Sequence, residues 1–254
     1  LFDHMFLDGL EDAYEPGKTM GWFAELCVEK YNFSREEMDA FATESVVRAQ
    51  RAVTEGVFSA EIAPVTVSTR KGEVVLAADE TPMKCDVSKI TQLKPVFKKD
   101  GGVTPANSSS ISDGAAALVL MRESDARSQG LTALARIAGH TTFAQEPAWF
   151  TTAPVFAFQN LLKKVGWQAG DVDLWEINEA FAAVTMASMR DLNLDRAKVN
   201  VNGGACALGH PIGATGSRIL VTLLYALKAR GLKRGIAGLC AGGGEATAIA
   251  IEVL

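Results

Sequence analysis

Several classes of function are closed off by what the 254-residue sequence does not contain. Its four cysteines, Cys27, Cys85, Cys206 and Cys240, form no CxxC pair, so their spacing writes neither a disulfide framework nor a zinc site. The three histidines, His4, His140 and His210, lie too far apart for metal-ligand spacing, and no metal is expected. There is no GxSxG elbow, no GxGxxG after a strand and no Walker A sequence. GHPIGATG lacks the Gly-Lys-Ser/Thr that would hold nucleotide phosphates. Basic residues are in deficit, 25 against 30 acidic for a net charge of −5, and are dispersed. That excludes nucleic-acid binding driven by phosphate contacts. No apolar run reaches the length of a membrane span, and no signal peptide is visible. A reducing, cytoplasmic setting is the simplest expectation. The first residue is Leu1, inside an amphipathic segment, LFDHMFLDGLEDAY. We expect the start of a parent protein to be missing.

The composition that remains, 48% hydrophobic and 22% charged, is that of a folded chain of one large domain or two. MGWFAELCVEKY has apolar residues near helical spacing. Ser34-Arg35-Glu36-Glu37 is a capping box opening a helix that runs to about Thr54 and stops at Gly56. Residues 61–76 read as a hairpin turning at Lys71-Gly72. From Asp79 to Ser110 the pattern becomes a long loop with Lys84, Lys94, Lys98 and Lys99. These lysines fit either an anionic small molecule or a solvated surface. AAALVLM, between Gly114 and Arg122, reads as a buried strand. ESDARSQG reads as a short helix. After Leu131 the chain alternates regularly: strands LARIAGH, DVDLWEIN, KVNVN, GIAGLCAG and EATAIAIEVL, with helices VFAFQNLLKKVGW, NEAFAAVTMASMRDL and TGSRILVTLLYALKAR. Such alternation implies an α/β domain, a mixed sheet covered by helices, with ligands beyond the carboxyl ends of strands.

Three candidate groups fall at such strand ends. His210 lies among glycines (Gly203, Gly204, Gly209, Gly213, Gly216) and is followed by Pro211, so its turn is constrained. It is either a proton-transfer group or a surface histidine in a tight turn. Asn178, opening NEAFA, could donate to an oxyanion or cap a helix, with Glu179 then in the first helical turn. Cys240, ending GIAGLC, is a reactive thiol or a small core filler. With His210 it permits thiolate–imidazole chemistry. Cys206, four residues before His210, reads as a reactive thiol or, more simply, as small core filler. The serines Ser108–Ser110 beside Gly114 could offer hydroxyls and amides to a ligand, or form a flexible turn.

Taken together, NEAFA at 178–182, NGGACALGHPIGATGSR at 202–218 and CAGGGEATAIAIE at 240–252 resemble the C-terminal signatures of the thiolase family, in order and spacing. SREEMDAFA and NSSSISDGAAA resemble further thiolase segments, so the similarity covers essentially the whole chain, and it is nearest to the acetyl-CoA acetyltransferases. The resemblance implies a thiolase fold, with a mixed five-stranded sheet in the C-terminal domain and an inserted loop domain. It assigns residues 1–111 to most of the loop domain, 112–131 to the end of the N-terminal domain and 132–254 to the C-terminal domain. The implied reaction is reversible condensation of two acetyl-CoA to acetoacetyl-CoA and CoA, or thiolysis of a 3-oxoacyl-CoA. CoA and acyl-CoA are then substrates, and no cofactor is required. His210 matches the histidine that activates the acyl-accepting cysteine, and Cys240 the acid/base cysteine. Asn178 matches the asparagine holding an oxyanion-hole water. Gly242 matches a glycine whose amide serves a second oxyanion hole. Ser109, Met20 and Phe181 match CoA-contacting positions. Nothing matches the motif of the nucleophilic cysteine, so these residues are expected to form an inactive fragment. Lys18-Thr19 stand before Met20-Gly21 where many members carry a histidine. A homotetramer or dimer is implied. The competing reading is a non-catalytic thiolase-like subunit that binds acyl-CoA or lipid, or serves as a scaffold.

Overall fold

The computed structural model describes residues 1–254. Helix α1 (Met20–Tyr31) buries Phe23, Ala24, Cys27 and Val28 along one face, the stripe that its apolar spacing dictates. Ser34 then starts α2 (Arg35–Thr54) with a reciprocal cap. Ser34 Oγ accepts from the Glu37 N–H at 3.1 Å, and the Glu37 carboxylate accepts from the Ser34 N–H at 2.8 Å. Two of the helix's orphan donors are thereby satisfied.

Strands β1 (Val65–Thr69) and β2 (Gly72–Leu76) pair antiparallel with Thr69 opposite Gly72. The turn is therefore Arg70-Lys71, one residue before the expected position. Every residue of this ribbon is exposed. Residues 79–110 are more ordered than a loop. They hold one helical turn, α3 (Thr81–Lys84), with Pro82 near its start, and a 3-10 segment, Val87–Gln92, capped by Asp86. Proline and aspartate are local start signals that hydrophobic periodicity does not register. Buried Ile90 fastens the segment beside Val46 and Ala49 of α2.

The buried strand expected at AAALVLM is not formed. Residues 115–121 pair with no strand, and Val119 and Leu120 are 85% and 68% exposed. A strand exists only through its ladder, and neither sheet of the molecule extends to this run. Helix α4 (Glu123–Ser128) follows as expected.

Beyond it come β3 (Ala135–Ala144), α5 (Ala153–Val165), β4 (Leu174–Ile177), α6 (Ala182–Leu192), α7 (Ala205–Leu208), α8 (Thr215–Arg230), β5 (Arg234–Ala241) and β6 (Glu245–Val253). The sheet order is β3-β6-β5-β4, with β4 and β5 parallel and the other pairs antiparallel. Side chains alternate between its faces. Trp175, Ile177, Ile236, Ala246, Ala248 and Ala250 meet α5 on one side. Leu174, Ala237 and Ile251 meet α8 on the other. The mixed sheet covered by helices is thus as expected, but it has four strands and not five. KVNVN supplies a single bridge, Val199 beside Trp175. At Asn200 the backbone turns left-handed, φ 48°, and the side chain continues the pairing instead. Asn200 Oδ1 accepts from the Ile177 N–H and Nδ2 donates to the Ile177 carbonyl, each at 2.8 Å.

Candidate active site

NEAFA does not begin a helix at Asn178. Helix α6 starts at Ala182, its N-cap is Phe181, and no side chain caps it. Residues 178–181 form a buried turn beyond the carboxyl end of β4, with the Asn178 N–H bonded to the Gly238 carbonyl at 3.0 Å. The helix starts late because another segment pairs alongside. The Ala182 N–H donates to the Asn107 carbonyl at 2.8 Å, and the Ser109 N–H to the Ala180 carbonyl at 3.0 Å. The Ser109 hydroxyl donates to the same carbonyl at 3.0 Å. Asn178 is therefore not a cap, and Glu179 does not lie in a helical turn. Both point into the protein, 1% and 0% exposed.

The same segment reaches His210. The Ser110 carbonyl accepts the His210 N–H at 2.9 Å, and Ile111 bridges His210 in parallel. Gly209, at φ 90°, reverses the chain after α7 in a conformation L side chains rarely adopt. The imidazole is oriented from its other end. Its Nδ1 lies 2.6 Å from Thr215 Oγ1, and the Thr215 hydroxyl donates to the Pro211 carbonyl at 3.0 Å. A hydroxyl has one hydrogen, so Oγ1 accepts from Nδ1–H and the lone pair is on Nε2. Nε2 faces Asn178 Nδ2 at 3.5 Å. Asn178 Oδ1 is buried with no partner, an acceptor left open to something that enters the site. Burial, with the Arg218 charge adding to it, pushes the imidazole down to about 4. His210 is neutral near pH 7, in the form that can take a proton.

Cys240, the penultimate residue of β5, lies in an apolar cluster with Phe23, Cys27, Phe150 and Phe181. Burial pushes its thiol up to about 12, so it is protonated at neutral pH. It makes no hydrogen bond to His210, and the two do not form a thiolate–imidazole pair in this structure. Gly242, in the β5–β6 turn, faces Met20 at the start of α1, where a Cβ on Gly242 would lie 2.7 Å from Met20 Sδ. Phe181 packs edge-on against Phe97, ring centroids 6.1 Å apart. Cys206 is filler beside the Glu179 carbonyl, 3.9 Å away, its thiol raised well above the ordinary range by burial. Of the loop lysines, Lys84 and Lys98 pair on the surface with Glu80 and Glu29.

The structure thus joins Asn178 directly to His210, Gly242 to Met20, and Ser109 to the turn that precedes Phe181. Sequence reasoning missed Thr215, Ser45, Asn200 and Phe97. Thr215 had a usable signal, a hydroxyl at a helix start five residues past the histidine. Phe97 had none, because its loop has no period. No group of three or more His, Cys, Asp or Glu side chains could hold a metal ion. No helix is long and apolar enough to cross a membrane.

Comparison with known proteins bears on this arrangement. Residues 1–124 match a family model described as thiolase, N-terminal domain, and residues 131–253 one described as thiolase, C-terminal domain. The chain is 47% identical over 253 residues to a probable acetyl-CoA acetyltransferase of Dictyostelium discoideum, covering 99% of this chain and 61% of that protein. It is 48% identical over 257 residues to acetyl-CoA acetyltransferase 2 of Arabidopsis thaliana, covering 100% and 64% respectively. The crystal structure of the Bacillus anthracis acetyl-CoA acetyltransferase superposes with a TM-score of 0.93 at 47% identity, over 96% of this chain and 62% of that one. A thiolase of Ascaris suum in complex with coenzyme A gives 0.90 at 41% identity, over 100% and 65%. The chain therefore spans 61% to 64% of the length of these two curated relatives.

Proposed function

The chain belongs to the thiolase family, and from that premise we propose that its site handles CoA thioesters. The reaction is reversible condensation of two acetyl-CoA to acetoacetyl-CoA and CoA, or thiolysis of a 3-oxoacyl-CoA. The observation that carries this reading is the contact of Asn178 Nδ2 with a neutral His210 held in one tautomer. Nε2 takes the proton of the acyl-accepting thiol, and the thiolate attacks the substrate carbonyl. The imidazolium then presents Nε2–H to the oxygen on which charge develops, beside a water held by Asn178. The charge arriving on that oxygen offsets the burial that keeps the resting imidazole neutral. Cys240, a protonated thiol in its apolar surroundings, donates to the α-carbon in the cleavage direction and takes that proton back in condensation. The Gly242 amide serves the second oxyanion, and Ser109, Met20 and Phe181 line the arm of CoA.

We further propose that the acyl-accepting thiol lies outside these 254 residues. No cysteine of the chain is bonded to His210, and Cys27, buried under α1, is pushed up to about 12. Residues 1–111 are then most of the loop domain, 112–131 the end of the N-terminal domain and 132–254 the C-terminal domain. A scaffold or lipid-binding subunit would have no use for the Thr215–His210–Asn178 alignment. The test is cleavage of acetoacetyl-CoA in the presence of CoA by the full-length protein that carries this chain. We expect turnover that falls at least a hundredfold in His210→Ala, on the order of a lost general base, and no turnover from the 254-residue chain alone. An inactive full-length protein sinks the assignment. Turnover by the isolated chain sinks the external thiol.

A further inference from the structure

Glu179 has no part in the chemistry above, yet its carboxylate is wholly buried where three segments cross. Its Oε1 accepts from Asn200 Nδ2 at 2.8 Å. Its Oε2 accepts from the Ser45 hydroxyl at 2.7 Å and from the Cys206 N–H at 3.1 Å. The Ser45 oxygen receives the Gly204 N–H at 2.9 Å, so its single hydrogen is committed to Glu179. All three partners donate, and only an acceptor fits. We propose that Glu179 is a positioning residue that sets the separation of Asn178 and His210 by holding both of their segments with one carboxylate.

The connections run in both directions. Toward Asn178, Glu179 is its sequence neighbour, and Asn200 clamps Ile177 on the other side of it. Toward His210, the Cys206 N–H belongs to the first turn of α7, whose end leads through Gly209 into the histidine. The carboxylate occupies the N-terminal position that a capping side chain would, since Gly204 has none. A Cβ on Gly204 would overlap the Glu179 carboxyl carbon, so any side chain there would push the carboxylate off its donors. Ser45 carries the link to α2, so the loop domain and the sheet share one anchor. A buried carboxylate costs desolvation that an apolar side chain of the same volume would not. Its place is explained by the donors on two catalytic segments that would otherwise be left unpaired.

Glu179→Gln keeps the volume but turns an amide NH2 toward at least one of three donors. In the full-length protein we expect kcat to fall roughly tenfold to a hundredfold, the scale of a small misplacement, with KM for acetoacetyl-CoA within about twofold. Ser45→Ala, which cuts the Gly204 arm, should lower kcat in the same direction but less. The double variant should be no worse than Glu179→Gln alone, because both act through one anchor. The inference rests on the thiolase reading, so a readout independent of turnover accompanies it: the ¹⁵N shifts of the His210 ring. They should change in Glu179→Gln as Nε2 loses its Asn178 neighbour. A wild-type protein inactive on acetoacetyl-CoA fails the thiolase reading alone. Unchanged ring shifts, unchanged kcat, or a kcat loss that only tracks the folded fraction overturns the role of Glu179. Should Glu179→Gln not fold, Ser45→Ala decides by the same criteria.

Discussion

His210 can act as a base only while Nε2 keeps its lone pair, and a single hydroxyl secures that. Thr215→Val removes the acceptor for Nδ1–H while preserving shape. We expect kcat of the full-length protein to drop on the order of tenfold or more as the tautomer is released, and Thr215→Ser to restore most of it. The neighbouring buried groups predict how stability depends on pH. Burial raises Glu176 from its ordinary 4.5 to about 8, against the pull of Arg218, and raises Glu61 to about 7. The folded state therefore binds extra protons above pH 4.5, and stability is lost as pH rises through 7 and 8. His210 acts oppositely, its pKa falling from 6.5 to about 4, so acidification below 6.5 destabilises through it. Above pH 6.5 the carboxyls act, joined above about pH 8 by the buried thiols of Cys27 and Cys240, whose raised pKa works in the same direction. The thermal midpoint should decline from pH 6.5 to 8.5, and Glu176→Gln should flatten that decline, as calorimetry across the range would reveal.

Elements with local signals are legible in the amino-acid order itself. The Ser34 box fixes the start of α2 to the residue, and Ser34→Ala should cost about 1 kcal/mol, read as a shift of the denaturation midpoint. The β5–β6 hairpin, α5 and α8 likewise follow from period and glycine punctuation. The segments that depart from expectation depend on partners distant in sequence. KVNVN has the alternation of a strand, but Asn200 leaves the extended region and only Val199 pairs. AAALVLM has the composition of a buried strand and meets no ladder. NEAFA has a good helix N-terminus, but pairing with residues 107–109 delays the helix by three positions, moving the cap from Asn178 to Phe181. The identities of His210, Asn178 and Cys240 as chemical groups are readable in the motifs. Their geometry is not, because the imidazole is oriented by a hydroxyl five residues on, at the start of α8, and the segment leading into its turn is anchored at Gly204 by Ser45 of α2, far off in sequence.

At the scale of the molecule, two unpartnered features stand out, the solvated β1–β2 ribbon and the apolar run at 115–121. Exposed Val119, Leu120 and Met121 belong to an apolar run that pairs with no strand, the kind of segment that recruits other chains. The purified 254-residue chain should therefore self-associate, and Leu120→Lys should shift it toward monomer in analytical ultracentrifugation. The main sheet carries no such liability on the side of β4. There the carboxamide of Asn200 occupies the N–H and the carbonyl of Ile177, the pairing groups an incoming strand would need. One side chain thus acts as a stopper: it ends the sheet at four strands and denies a template to misfolded neighbours at the edge beside Asn178.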